Sequence, residues 1–163
     1  MLKPHYIMKS VTDITVDFLK GENINALLLD VDNTLSIAHA DKTLRQGVDK
    51  WLCEMKNGGI ILMILSNAKT NRAKLFADSI GVPVVSMAGK PLPFGYIKAT
   101  KIMKVKRKNA AIVGDQVFTD VLGGKLSGVR TILVTDITPE NQTFFKIKRF
   151  FERIMLKRWQ NEC

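Results

Sequence analysis

The chain is poor in cysteine, in acid and in long apolar runs. Its two cysteines among 163 residues, Cys53 and Cys163, lie far apart and in neither a metal-ligand nor a redox spacing. A reducing cytoplasm is the compartment expected from that usage. The longest apolar runs, Ala26–Leu29 and Gly59–Leu65, fall far short of the ~20 residues a membrane-spanning helix needs. No apolar stretch follows the basic residues of Met1–Lys9, so no secretory signal is expected. Internal repeats and low-complexity segments are also absent. What remains is a chain of ordinary hydrophobicity, 46% apolar and 25% charged, long enough to bury one sizeable core without staples.

Acid is the telling shortage. Fifteen Asp and Glu face twenty-five Lys and Arg, a formal net charge of +10. An anionic partner is the usual meaning of such a balance: nucleic acid, anionic lipid or a phosphorylated substrate. The excess is local. Residues 98–108 carry Lys98, Lys101, Lys104, Lys106, Arg107 and Lys108 and no acid. Residues 143–163 carry Lys146, Lys148, Arg149, Arg153, Lys157 and Arg158 against Glu152 and Glu162. A solvated helix face is the plain reading of each run.

Short apolar runs alternate with helical patterns. Residues 25–30, 60–66, 82–86, 110–113 and 131–134 read as strands. Residues 44–57, 69–80, 93–105 and ~120–127 read as helices, with Gly58-Gly59 and Gly81 as stops and Pro91 and Pro93 as a start. A last helix, apolar on one side and basic on the other, is expected over about 140–160. On its wheel Lys146, Arg149, Arg153 and Lys157 share one stripe. This βα alternation predicts one α/β domain over 1–163, with an approximately five-stranded parallel sheet and helices on both faces. Right-handed crossovers bring the strand carboxyl ends to one edge, where ligands bind in such sheets.

The polar residues ending those strands are therefore the candidates. Asp30 and Asp32 in Asp30-Val31-Asp32-Asn33-Thr34 point to the same side if the segment is extended, and two close carboxylates need a cation, a proton or a bend between them. Ser66-Asn67, at the start of the next helix, can receive a phosphate or simply cap the helix. Asp115 and Asp120 flank the loop Gly114–Asp120, where Thr119 or Asp120 can serve as nothing more than a cap. Lys90 in Gly89-Lys90-Pro91 is, taken alone, an ordinary solvated lysine.

Taken in order, Asp-Val-Asp-Asn-Thr, Leu-Ser-Asn, Gly-Lys-Pro and Gly-Asp-Gln-Val-Phe-Thr-Asp resemble the four motifs of the haloacid dehalogenase superfamily of phosphatases. The nearest likeness is to its class IIIA, YqeG-like group, with a more distant likeness to the phosphatidylglycerophosphate phosphatases. This resemblance implies a Rossmann-like fold, Mg²⁺ as cofactor and a phosphomonoester substrate. It implies Asp30 as the nucleophile that forms an aspartyl-phosphate, and Asp32 as acid and then base. It implies Asp30 and Asp115, with the carbonyl of Asp32, as metal ligands. Ser66, Asn67 and Lys90 would receive the phosphate, Thr34 would order the loop, and Asp120 would hold a metal water or steady Lys90.

The spacing leaves little room for a cap domain, because 34 positions separate Asp32 from Ser66 and 24 separate Ser66 from Lys90. An open site suits a phosphate projecting from something large, such as phosphatidylglycerophosphate in a bilayer. The expected location is cytoplasmic, peripheral to the inner face of the membrane, with the basic helices against anionic lipid. A basic nucleic-acid-binding or ribosome-associated protein of the same fold, and a phosphatase of nucleic-acid ends, are the competing readings.

Overall fold

A computed structural model describes residues 2–37 and 43–136, together with Arg153 and Lys157, which are helical and exposed. The rest of the basic helix expected over 140–160 lies outside the described residues. Among those described, no helix is long and apolar enough to cross a membrane.

Among the described residues, six parallel strands form one sheet: β1 (Tyr6–Met8), β2 (Ala26–Leu29), β3 (Ile61–Leu65), β4 (Val84–Val85), β5 (Ala110–Gly114) and β6 (Arg130–Val134), in the order β1-β6-β5-β2-β3-β4. Between them run α1 (Val16–Gly21), α2 (Val48–Asn57), α3 (Thr70–Ile80), α4 (Pro93–Ile102) and α5 (Leu122–Ser127). Alternation along the strands divides the core. Leu27, Leu29, Leu62, Ile64, Ala111 and Val113 pack with Trp51, Met55 and Phe76 on the face of α1–α3. Leu28, Met63, Leu65 and Ile112 pack with Tyr96, Ala99 and Met103 on the face of α4. Both faces are covered, which is why the strands read as continuous apolar runs rather than as an alternating pattern.

The sheet has six strands where the sequence predicts about five. β1 is only three half-buried residues at the sheet edge, too short to leave a period in the sequence. It is held by backbone and side-chain contacts to β6. The His5 N–H donates to the Thr131 carbonyl at 3.1 Å, and the Thr131 N–H donates to His5 Nδ1 at 3.1 Å. Other boundaries shift for local reasons. The helix expected from residue 44 starts at Val48, because Leu44 forms an antiparallel bridge with Ser36 and Gly47, at φ 79°, turns the chain. The helix expected to reach 105 stops at Ile102, where Lys104 takes a left-handed turn at φ 55°.

His5 gives this edge a pH dependence. Its Nδ1 accepts a hydrogen bond only when unprotonated, and burial, then Lys125, then Arg130, push its pKa below the usual value. A histidine depressed in the fold favours folding above its unfolded pKa, and that contribution is lost as pH falls from ~6.5 through the lower folded value. Protection factors of the Tyr6–Met8 amides, taken against the intrinsic exchange rate at each pH, are therefore expected to fall between pH 7 and pH 5, and His5→Gln is expected to remove that step. Protection factors unchanged over this range contradict the assignment.

Candidate active site

The strand order reverses at β2. From β2 the chain steps outward through β3 to β4, then returns through α4 to β5 on the other side of β2. Crevices form at such a switch point, outside the strand carboxyl ends. Asp30 follows β2 and Asp115 follows β5, so both sit at this crevice. The Asp30 N–H donates to the Val113 carbonyl at 2.9 Å, which extends the sheet ladder one residue and fixes where the carboxylate leaves the backbone.

Lys90 is the centre of the arrangement. Its ammonium donates to Asp30 Oδ1 at 2.6 Å and to Asp120 Oδ1 at 2.8 Å. Its side chain is 3% exposed. Burial alone would lower its pKa, but the charges of Asp120 and Asp30 overcome this and raise it, so the lysine stays protonated. Asp120 is itself buried. Desolvation and the charge of Asp30 push its pKa up to about 6 against the pull of Lys90. Tyr96, fully buried below, donates to the Thr119 carbonyl at 2.8 Å. Burial, then the Asp120 charge, raise its pKa too, so it remains a neutral phenol.

The loop after β5 aims Asp120 inward. A five-residue π turn, Val117–Val121, precedes α5 where the sequence suggests an ordinary helix start. The Gln116 N–H donates to Asp120 Oδ2 at 3.2 Å. Gly114 is required here, because a Cβ on it would overlap the Asp120 carboxylate. Gly123 is required for a similar reason, since a Cβ there would come within 2.6 Å of the Tyr96 ring.

Asp30, Asp115 and Asp120 form a buried group in which one carboxylate oxygen of each lies within 4.8 Å of the others. Among the described residues, Lys90 is the cation that meets Asp30 and Asp120 in this cluster, in a place where uncompensated charge is costly. All the donors are hard oxygens, which suit Mg²⁺ or a similar divalent ion. The residues fit such an ion. Thr34 Oγ1, at the end of the Asp30–Thr34 motif, is buried with no hydrogen-bond partner among the described residues.

Asp32 stands apart. Its carboxylate is 40% exposed and pairs with Arg72 at 3.1 Å. Asp30 and Asp32, read from sequence as a repelling pair on one side, are thus drawn to different cations. Ser66 Oγ accepts from the Ala68 N–H at 3.1 Å, which tightens the turn into α3. The Asn67 side chain is engaged with Lys90: Oδ1 accepts from the Lys90 N–H at 2.7 Å, and Nδ2 donates to the Lys90 carbonyl at 3.0 Å. It thereby positions the lysine.

Three contributors carry no signal of their own in the sequence. Asn33 Nδ2 donates to Asp115 Oδ2 at 3.3 Å, Arg45 donates to the Asn33 carbonyl at 2.9 Å, and Arg72 holds Asp32. Asn33 is 1% exposed, and the only hint of a role is its place between the two motif aspartates and Thr34. Arg45 and Arg72 reach the site from chain segments that only the fold brings near.

The family described as mitochondrial PGP phosphatase matches residues 1–138. The chain is 33% identical over 153 residues to a Bacillus subtilis protein named "Probable phosphatase YqeG", spanning 94% of this chain and 88% of that one. It is 28% identical to the mitochondrial phosphatidylglycerophosphatase GEP4 of Saccharomyces cerevisiae, over 83% of this chain and 79% of that one. Among solved structures, NagD of E. coli superposes with a TM-score of 0.57 at 15% identity, covering 72% of this chain and 90% of the other. The deoxy-D-mannose-octulosonate 8-phosphate phosphatase YrbI of Haemophilus influenzae superposes with a TM-score of 0.55 at 17% identity, covering 68% of each chain.

Proposed function

Because the chain belongs to the mitochondrial PGP phosphatase family and is a phosphatase of the haloacid dehalogenase superfamily, we propose that it hydrolyses phosphomonoesters through an aspartyl-phosphate on Asp30, with Mg²⁺ bound. The observation that supports this most is the buried cluster of Asp30, Asp115 and Asp120 around Lys90. Asp30 and Asp115, with the carbonyl of Asp32, would hold the ion. When bound, it supplies positive charge that lets an anionic nucleophile approach an anionic phosphate.

The chain's own groups then do the following. A carboxylate oxygen of Asp30 attacks phosphorus while the bond to the ester oxygen breaks, which splits one displacement into two easier ones. Lys90 meanwhile holds the other side of that carboxylate and faces the charge spreading over the phosphoryl oxygens. Asp32, exposed at the rim beside Arg72, acts in its protonated form, taking that proton from solvent before it gives it to the departing oxygen. It then takes one from the water that attacks the phosphorus of the acyl phosphate, releasing inorganic phosphate and restoring Asp30. Such a group contributes roughly 10²–10⁴ in rate. Ser66 and the backbone N–H groups leading into α3 receive the phosphate at that helix's start, Asn67 keeps Lys90 in register, and Thr34 orders the loop.

The substrate we propose is a lipid phosphate of the phosphatidylglycerophosphate type, met at a membrane surface by a domain without a cap. GEP4 is named for that activity. The exposed apolar side chains around the rim support the same reading. Met87 follows β4 and is 69% exposed, Leu92 and Phe94 flank the start of α4 at 55% and 73%, and Ile37 leaves the Asp32 loop at 40%. Exposed large apolar residues gathered at one edge mark a binding surface more often than chance decoration. Purified protein is expected to release phosphate from phosphatidylglycerophosphate in vesicles with Mg²⁺ and to stop with EDTA. Changing both Met87 and Phe94 to Ser is expected to slow vesicle hydrolysis by about tenfold more than hydrolysis of a water-soluble monoester. Equal effects on both substrates contradict the lipid reading.

A further inference from the structure

At the opposite end of the sheet from the rim, a cavity of about 820 Å³ opens between the end of α4, the 105–108 segment and the end of α5. It lies beside the start of β5, roughly 20 Å along that strand from Asp115. Lys101, Lys106, Arg107, Lys108 and Lys125 line it, and among the described residues no acid does. Ile97, Val105 and Leu126 add apolar side chains to the lining. The sequence suggests that the 98–108 run is one solvated helix face. The fold instead ends the helix at Ile102 and bends the rest of the run back into a concave wall.

The ends of α4 and α5 account for only part of this charge. A helix carboxyl end carries about half a negative charge, so two ends offset about one of five cations. Arg107 donates to the Ser127 carbonyl at 3.0 Å and so caps α5 while remaining on the cavity wall. The other four cations have no such counterpart in the lining. Cations that line one cavity repel one another wherever they lie within the ~8–10 Å over which charges interact at physiological salt, and an anion seated among them offsets that repulsion. The chain's own 143–163 segment, with six cations and two acids, is of the wrong sign to do this.

We propose that this cavity is a second anion site, separate from the catalytic rim, which holds a compact ligand carrying several linked phosphates. Its volume is in the ~300–1,000 Å³ range of small-molecule sites, and the apolar side chains of its lining accommodate an uncharged ring or chain attached to the phosphates. The multiple charge is what the site selects: one phosphate can reach one or two of the lysines, whereas a chain of phosphates spans the group.

Calorimetric titration of the full chain with tripolyphosphate, in EDTA and low salt, tests this. One equivalent is expected to bind, more tightly than orthophosphate. Changing Lys101, Lys106 and Lys108 together to Ala is expected to weaken binding about tenfold or more. All three are exposed, so the melting temperature and the hydrolysis of a soluble monoester should be unchanged. The same three positions changed to Arg should retain binding. Equal affinity in wild type and the Ala variant, or no binding by wild type, overturns the proposal. A single-stranded RNA that binds the same lysines more tightly than tripolyphosphate also overturns it, in favour of a polymer backbone.

Discussion

Asp30→Asn is expected to fold as the wild type does and to lose turnover by about 10⁴-fold or more, the scale seen when a nucleophile is removed. An amide keeps the shape of the carboxyl group but forms no acyl phosphate. The fold should tolerate it because Lys90 still has Asp120 at 2.8 Å. The change also removes one negative charge from a buried cluster of three. Without metal, the melting temperature of the variant should therefore equal or exceed that of the wild type. A folded Asp30→Asn protein with near-normal turnover would falsify the role assigned to this residue.

Lys90→Met is expected to have the largest effect on stability. The Lys90 and Asp120 side chains are each 3% exposed, and the Asp30 side chain is 13% exposed. Removing the cation leaves two carboxylates buried against each other. Breaking a buried pair in this way costs about 3–5 kcal/mol, and at ~2–4 °C per kcal/mol for a domain of this size the midpoint falls by roughly 10 °C. The measurement belongs in EDTA, since a bound cation would mask the loss. Combining Lys90→Met with Asp120→Asn should recover part of the stability, because the second change removes a charge the first has stranded. Turnover should be lost in both variants. A midpoint within a degree of wild type for Lys90→Met would mean that the pair contributes nothing to the fold.

The parts of this molecule legible in the sequence are those where a local signal and a global constraint coincide. Buried parallel strands leave short apolar runs, and Asp30 and Asp115 are conspicuous because each ends one. The parallel sheet follows from the alternation itself. β1 was out of reach because three half-buried edge residues have no period, and its attachment depends on His5 meeting Thr131 across most of the chain. Lys90 sits in a loop without pattern. By itself it reads as solvated, and only its order among the other motifs singles it out, yet it is among the most buried charges here. The partners of Asp32 and Asn33 are tertiary: Arg72 and Arg45 are ordinary helix and loop cations until the fold brings them in. The basic run at 98–108 was visible as charge but not as shape. Its concavity depends on where α4 stops, and the left-handed turn at Lys104 occurs at a residue type that gives no warning of it.

Phosphate is expected to pass through Asp30, and a trapped intermediate tests this directly. Enzyme mixed with substrate and Mg²⁺, quenched in acid within one turnover and digested, should yield a single phosphorylated peptide, modified at the Asp30 carboxyl. The label should disappear on longer incubation as inorganic phosphate accumulates. Phosphate found on any other residue, or a full burst of product with Asp30 unmodified, would contradict the account.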